Sequence, residues 1–579
     1  MGPLTDVAQE VRMRVRAGFW LTFLFITILL AWVGRYEVFA DGMAYLDLAN
    51  RVAAGNWNGL INGLWSPLYP LLIGILFRLF HVPTYQRVPV AHIVNVAAYV
   101  GAFIAFEFFL RQIVDERARS RERPSLILSP IWFAVVYTIF LWSFTRLHQP
   151  QSMTPDALMV VLLFIAGALF SRARAGETSW HVFALLGLSL GLGYLAKAVM
   201  FPMAFVFLLL LLFCSKGSRR AAGTLLAFVI FAAVSGPWIY ALSATKGHFT
   251  FGDSGALNYA WWINGARHFD HWRGEPPGRG VAAHPTRRLF SDPEVFEFAE
   301  PIVGTFPPWT DPSYWNEGLT PYFDWKQLLH AAALNVSYYA NLFLLIQGPV
   351  TIIVGTILLA TPRASLRQAF KTSWPLLVAM AAIFSMYALV HVEDRYFLGA
   401  VVILWVVLID AASPIPGISP HGLTSSAATA VLIVMGAGVA YTTVVNLSAL
   451  ANGAGQSGMR VARALPEFDI KEGDRVATLG TDIGWASLAQ VRIVAEIPEP
   501  QADRFWMASQ EQQSDVLQSI RDTGAKAMII GPLAIPCHGN CVHAGPPLAG
   551  MVAIGETGFW ILPLQQIASE TPIRRMAPP

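Results

Sequence analysis

The segment DGMAYLDLA (41–49) places Asp41, Tyr45 and Leu48 at i, i+4 and i+7, so they share one helix face, with Asp47 pointing elsewhere. A carboxylate in such a setting suits a general base that takes a proton from a hydroxyl. The structural alternative is an N-cap, in which Asp41 satisfies free N–H groups. A second carboxylate, Asp156, lies in HQPQSMTPDALM (148–159), with Pro155 near a helix start, where proline is tolerated. Thr154 or Asp156 as a cap is again the alternative, and His148 and Gln149 are of a type to hydrogen-bond a substrate. Lys197, in GLGYLAKAVMFP (191–202), has a strongly apolar setting. An ionisable group there marks a functional site by default, here for phosphate, with snorkelling to the surface as the alternative. HVEDRYF (391–397) gathers Glu393, Asp394, Arg395 and Tyr396 between apolar walls. Arg395 is a natural phosphate partner, or else pairs with a neighbouring carboxylate in a solvated turn.

Other clusters are less specific. Tyr259, Trp261, Trp262, Trp272, Trp309 and Trp315 suit stacking on sugar rings or an interfacial aromatic belt, and the belt is the expectation for most of them. His268, Asp270 and His271 have ligand-type side chains, but their spacing specifies no metal and predicts a surface loop. Cys537 and Cys541, beside His543, predict a short disulfide in an oxidising compartment, with a metal site as the alternative. There is no Walker motif, no G-x-G-x-x-G after a strand, no HExxH and no G-x-S-x-G.

The elements that must hold these residues are set by composition. Only 13% of the 579 residues are charged, against roughly 25% in soluble proteins. The hydrophobic fraction is 55% and the mean hydropathy +0.49. These values exclude a soluble enzyme, a disordered chain and a fibrous repeat, and they require a bilayer as solvent. The net charge of +3 gives no case for nucleic-acid binding.

Apolar runs long enough to span lie near 17–34, 88–110, 126–144, 154–171, 221–243, 333–360, 374–391, 396–412 and 423–446. A hairpin over 180–214, with its tip near Lys197 and Pro202, brings the expected total to about eleven helices. The first run, flanked by Arg12, Arg14 and Arg16, reads as an anchor. Segment 66–81 is apolar but short, with two prolines and Arg78. If it spanned, the Arg-rich stretch 111–123 would fall outside; if it lies along the interface, the basic loops all fall inside. It is therefore read as an interfacial helix. The N-terminus is then cytoplasmic, while loops 35–87 and 244–332 and the tail face outward. Loops of such length carry function. The tail alternates short apolar strands with polar helices, which predicts a small α/β domain. The predicted architecture is an all-α polytopic membrane domain over 1–446 and a small C-terminal α/β extracytoplasmic domain over 447–579.

The order DGMAY, polar stretch, Ser66-Pro67-Leu68-Tyr69-Pro70, then Arg87 at the next span resembles the GT-C membrane glycosyltransferases that use polyprenyl-phosphate sugars. The protein O-mannosyltransferases and lipid A aminoarabinose transferases share the Asp-x-x-x-Tyr spacing and the proline segment. Gly42 stands where those families carry an acidic residue, and the broader RgtA/B/C/D-like group is the better match. The resemblance is strongest over about 20–245. It implies a GT-C-like fold in the inner (plasma) membrane and transfer of a hexosyl or pentosyl group at the outer face. The implied partners are a polyprenyl-phosphate-linked sugar donor, a glycan, lipid or protein acceptor, and membrane lipids, with no nucleic acid. It implies Asp41 as catalytic base, assisted by Asp156 or Asp47. Tyr45, Arg87, His148, Lys197, Glu393, Arg395 and Tyr396 would contact substrate, with Arg87, Lys197 and Arg395 for phosphate. No cofactor is assigned, and a divalent cation (Mg or Mn) stays open. The competing classes are a transporter or flippase of lipid-linked sugars and a non-catalytic membrane scaffold.

Overall fold

The computed structural model describes residues 3–119, 130–214, 218–266, 271–275, 277–298, 301–361, 363–411, 423–451, 453, 456–480, 482–534 and 548–564. The helices begin with α1 (Pro3–Val33), α2 (Ala40–Ala53), α3 (Leu68–Phe80), α4 (Arg87–Arg119), α5 (Pro130–Leu147) and α6 (Asp156–Arg174). Next come α7 (Trp180–Ala196), α8 (Met200–Cys214), α9 (Arg220–Lys246) and α10 (Ser254–Trp262), then two single turns, α11 (Pro307–Thr310) and α12 (Pro312–Trp315). The bundle is completed by α13 (Trp325–Asn341), α14 (Gly348–Ala360), α15 (Arg363–Ala388), α16 (Leu398–Ala411) and α17 (Leu423–Ala451). The tail adds α18 (Gln456–Ala464), α19 (Gly484–Ala489), α20 (Ala502–Met507) and α21 (Gln510–Asp522).

Among the described residues, six helices are long and apolar enough to cross a membrane, and four shorter apolar ones accompany them. The chain is a multi-pass membrane protein. A backbone in hydrocarbon must satisfy its own hydrogen bonds, so these apolar runs become helices. Helix α3, at 13 residues, extends about 20 Å, short of a hydrocarbon core of about 30 Å. One face of it, with Tyr69, Ile73 and Phe77, is buried, while Leu79 and Phe80 are exposed. Gly74 lets it close on α2, because a Cβ there would lie 2.6 Å from the Ala49 carbonyl oxygen.

The run expected as one span over 333–360 is broken. After α13 the chain makes one π-helical turn, Leu342–Ile346, and α14 restarts at Gly348-Pro349. Proline has no N–H to continue the ladder but fits a first turn. The Trp142 indole donates to the Ile346 carbonyl at 2.9 Å, which satisfies backbone freed by the break.

Beyond the bundle, one seven-stranded sheet runs in the order β1-β2-β4-β3-β5-β7-β6. Strands β3 (Arg475–Leu479), β4 (Arg492–Ile497), β5 (Ala527–Ile530), β6 (Val552–Ala553) and β7 (Trp560–Pro563) come from the tail. The neighbours β3/β4 and β3/β5 are parallel and buried throughout their centres, as the unbroken apolar runs imply. Strands β1 (Arg287–Ser291) and β2 (Glu294–Glu297) come from the long loop, and β2 pairs antiparallel with β4. The sheet is thus not confined to the tail: loop and tail are built into one another and lie on the same side of the membrane.

Candidate functional site

Four segments of the bundle converge on a cavity of about 370 Å³. Helix α2 brings Asp41 and Tyr45. The cap of α2 is Phe39, without a side-chain cap bond, so Asp41 sits in the first turn with its carboxylate free to face the cavity. There it also meets the positive end of the helix dipole. Asp156 opens α6, again without capping through a side chain. Lys197 is the extended residue that ends α7, in the break before α8. The turn between α15 and α16 supplies His391, Glu393, Arg395 and Tyr396.

Arg395 is the hub. Its Nη2 donates to Asp41 Oδ2 at 2.8 Å and its Nε to Glu393 Oε2 at 2.6 Å, with Asp156 Oδ2 at 3.9 Å. Lys197 Nζ donates to Asp156 Oδ1 and lies 4.0 Å from the centroid of the Tyr396 ring. Tyr396 donates its hydroxyl to Glu393 Oε1 at 3.2 Å, and His391 Nε2 lies 3.5 Å from the same oxygen. Burial opposes ionisation of Glu393, but the hydrogen bond from His391 and the charge of Arg395 hold its pKa down at about 2. Burial also pulls Arg395 down, and the carboxylates of Asp41, Asp156 and Glu393 more than reverse this, so its pKa is raised. Asp156 is 1% exposed and its Oδ2 has no hydrogen-bond partner. Its other oxygen accepts from Lys197, so Lys197 and Arg395 compensate the buried charge.

The long loop closes the cavity. Helix α10 contributes Asn258, Trp261 and Trp262, and α11 contributes Trp309. Trp262 stacks on His391 with ring centroids 4.0 Å apart and planes 2° from parallel. Four of the loop indoles are packed inside the protein instead of forming an interfacial belt, while Trp262 is exposed. Trp261, Trp272, Trp309 and Trp315 are buried, because the loop folds onto α2 and the tail instead of lying on a lipid surface. Trp65 and Ser66 line the cavity from the proline-containing segment.

Other expected residues lie elsewhere. Asp47 is buried on the far face of α2, accepting from the Thr305 backbone N–H at 2.9 Å and the Thr310 hydroxyl at 2.6 Å. Burial raises its pKa, against the pull of those hydrogen bonds. Arg87 donates to Gln490 at 3.1 Å and lies 3.8 Å from Glu472, so it faces the tail and not the cavity. His148 is buried between the Tyr99 hydroxyl and Thr154 Oγ1, and burial lowers its pKa to about 4. Asp394 accepts from Tyr338 at 2.6 Å. His271 pairs with Glu496 and Thr286 against Phe296, a packing role. His268, Asp270, Cys537, Cys541 and His543 lie outside the described residues. His391 and Asn258 line the cavity without having been singled out by spacing. The signal for His391 was its place at the head of HVEDRYF.

Gly42 has a local reason. A Cβ there would lie 2.9 Å from Met153 Cε and 3.2 Å from its Cβ, so a longer side chain would displace Met153. Among the described residues no three His, Cys, Asp or Glu side chains converge to hold a metal ion. The cavity carboxylates face Lys197 and Arg395, which does not fit a divalent cation.

No protein-family model matches the chain, and no curated protein matches it. Solved structures do. ArnT from Cupriavidus metallidurans, bound to undecaprenyl phosphate, superposes with a TM-score of 0.51 at 12% identity, covering 89% of this chain and 93% of that one. Its apo state also scores 0.51, at 11% identity and the same coverage. An oligosaccharyltransferase from Archaeoglobus fulgidus, solved with Zn and sulfate, scores 0.46 at 10% identity, covering 88% of this chain and 68% of that chain, too low a score to rest an argument on. What is shared at such identities is architecture: over nearly nine-tenths of its length the chain has the GT-C fold of ArnT, a lipid A aminoarabinose transferase.

Proposed function

We propose that this chain is an integral-membrane glycosyltransferase that moves a sugar from a polyprenyl-phosphate donor to an acceptor hydroxyl. The observation that carries the reading is the gathering in a single cavity of Asp41, paired with Arg395, and of Lys197, paired with Asp156. Glycosyl transfer needs a base for the acceptor and positive charge for the departing phosphate. Lys197 and Arg395 take the phosphate, and the fork of Arg395 suits its oxygens. In drawing Arg395 to itself the phosphate releases Asp41, whose Oδ2 is otherwise occupied. Asp41 then removes the hydroxyl proton as the acceptor oxygen bonds the anomeric carbon. The bond from that carbon to the phosphate oxygen breaks with its electron pair, leaving phosphate between the two cations. Asp156 keeps Lys197 charged and in place. Arg87, Asp47 and His148 have no contact with the reacting groups in this reading.

The fold shared with ArnT, bound there to undecaprenyl phosphate, supports the donor class. The sign of the basic loops supports the orientation, with the N-terminus cytoplasmic and the cavity at the outer face of the inner membrane. The test is transfer by purified protein in lipid nanodiscs, with labelled polyprenyl-phosphate sugars and membrane acceptors. Asp41→Asn is expected to lose roughly 10²- to 10⁴-fold in rate at unchanged melting temperature. Equal transfer by the two proteins removes Asp41 as the base.

A further inference from the structure

The cavity has two kinds of lining. Lys197 and Arg395 stand among Asp41, Asp156 and Glu393, with the His391 imidazole beside Glu393, so three carboxylates face two permanent cations. Trp65, Trp261, Trp262 and Trp309, with Asn258, supply the rest of the contrast. With its carboxylates ionised and the His391 imidazole neutral, the lining holds one surplus negative charge before any ligand enters. A polyprenyl-phosphate sugar adds another, and it takes both cations. Among the described lining residues no further lysine or arginine remains for an acceptor. An acceptor that presents phosphate or carboxylate would therefore enter a field of its own sign.

The base narrows the attacking group to a hydroxyl. A phosphate oxygen is already ionised near neutral pH and offers Asp41 no proton. A carboxylate beside it only repels it. A sugar hydroxyl has a proton to give and needs a base.

The indoles indicate what carries that hydroxyl. Trp65 donates its N–H to the Trp309 carbonyl at 3.1 Å, and Trp261 donates to Asn316 Oδ1 at 3.4 Å. The rings of Trp65 and Trp309 meet edge to face, 5.4 Å between centroids. These bonds fix Trp65 and Trp261, which with Trp309 are largely packed in the protein, and Trp262, 43% exposed with one face on His391, offers the ring surface to a ligand. The electron-rich face of an indole attracts the polarised C–H groups of a pyranose. The volume of about 370 Å³ is that of a small-molecule site of about 300–1,000 Å³ and not of a protein groove.

We propose that the acceptor is the hydroxyl of an uncharged sugar seated against the indoles of the long loop. This rests on the glycosyltransferase reading of the site. Asp41 takes the hydroxyl proton, the freed oxygen bonds the donor's anomeric carbon, and the phosphate leaves with the electron pair of the broken bond.

The test uses the full chain in nanodiscs loaded with undecaprenyl phosphate. Neutral hexose and N-acetylhexosamine disaccharides, their phosphorylated counterparts and a serine/threonine peptide are titrated in, with binding followed by tryptophan fluorescence and calorimetry. The expected result is that neutral disaccharides bind and the phosphorylated ones bind about tenfold more weakly or worse. Trp262→Ala, at an exposed position, raises the Kd of the neutral sugar roughly 3- to 10-fold, and Trp262→Phe restores most of it. The proposal is overturned if phosphorylated sugar or peptide binds as tightly as neutral sugar, if no neutral sugar binds, or if Trp262→Ala leaves its Kd unchanged. Carrier binding is read separately. If undecaprenyl phosphate does not bind, or binds equally to Lys197→Ala and Arg395→Ala, the donor reading fails whatever the sugars do.

Discussion

Asp41 and Arg395 are joined at 2.8 Å although residue types and spacing assigned them to different tasks, one to a base and the other to phosphate. The pair explains how both tasks fit one site, since each group holds the other in place until a ligand exchanges partners with it. Asp41 and Arg395 each keep 22% of their side-chain surface exposed, so Arg395→Ala is expected to weaken the fold by less than the ~3–5 kcal/mol that breaking a fully buried pair costs. Because the cavity carboxylates are answered by Lys197 and Arg395, chelation with EDTA is expected to leave the transfer rate unchanged, and a rate restored only by added Mg or Mn speaks against this. Glu37 behaves differently. It lies between α1 and α2 with Oε2 unpartnered, and burial raises its pKa to about 7. A carboxyl whose folded pKa is raised favours the native state below its unfolded value of 4.5, and that advantage fades as pH rises through about 7. Glu37→Gln is therefore expected to leave the melting temperature nearly unchanged at pH 4 and to raise it at pH 8. A variant that melts at the wild-type temperature at pH 8 contradicts the assignment.

At the scale of elements, the base is only as well placed as helix α2. Its far end is tied down three times: Asp47 to Thr305 and Thr310, Asn50 to Gln490 at 2.7 Å, and Arg51 to the carbonyls of Gly59 and Val303. Gln490 holds a left-handed backbone (φ 54°) while accepting from both Asn50 and Arg87. Such strain of about 1–3 kcal/mol persists only where surrounding contacts over-determine it. Asp47→Ala leaves the Thr305 backbone N–H without its acceptor, a loss of about 1–3 kcal/mol, while the Thr305 and Thr310 hydroxyls keep Ser487 and the Phe306 carbonyl as partners. Transfer by this variant should fall chiefly in kcat, with the donor KM within about twofold, because Asp41 shifts while Lys197 and Arg395 do not. Asp47→Asn, which keeps an acceptor, should recover part of the rate. A fall confined to donor KM would place Asp47 elsewhere in the mechanism. The helix faces that carry Asp41, Tyr45 and Asp47 were legible from the i, i+4 rule alone, as were the spans, because hydrocarbon leaves apolar runs few options. What occupies the opposite side of a face was not legible. Arg87 has the right residue type for phosphate, but its partners lie some 400 residues further along the chain. The loop tryptophans look the same in sequence whether they meet lipid or a neighbouring loop.

At the scale of the molecule, the sheet joins loop 244–332 to the tail through a single pair of strands. RRLFS and EVFE are short and carry four charges between them, so nothing local marks them as strands; the pairing with β4 makes them so. A chain ending at residue 446 would leave β2 with an unpaired edge and Phe296 and Phe298 uncovered. Limited proteolysis of that truncated protein should cleave within 280–300, where the full chain resists. Equal resistance would show that the loop folds without the tail.

That shared sheet also sets a schedule. Glu297 leaves the ribosome nearly two hundred residues before its partner Ala495, and five bundle helices are made in between. At about 5–20 residues per second, the hairpin waits roughly 10–40 s before its edge is covered. Cover for that edge is thereby deferred until strand β4 has been made. A nascent or prematurely terminated chain presents an open strand edge to whatever surveys the membrane surface, and only the finished one conceals it.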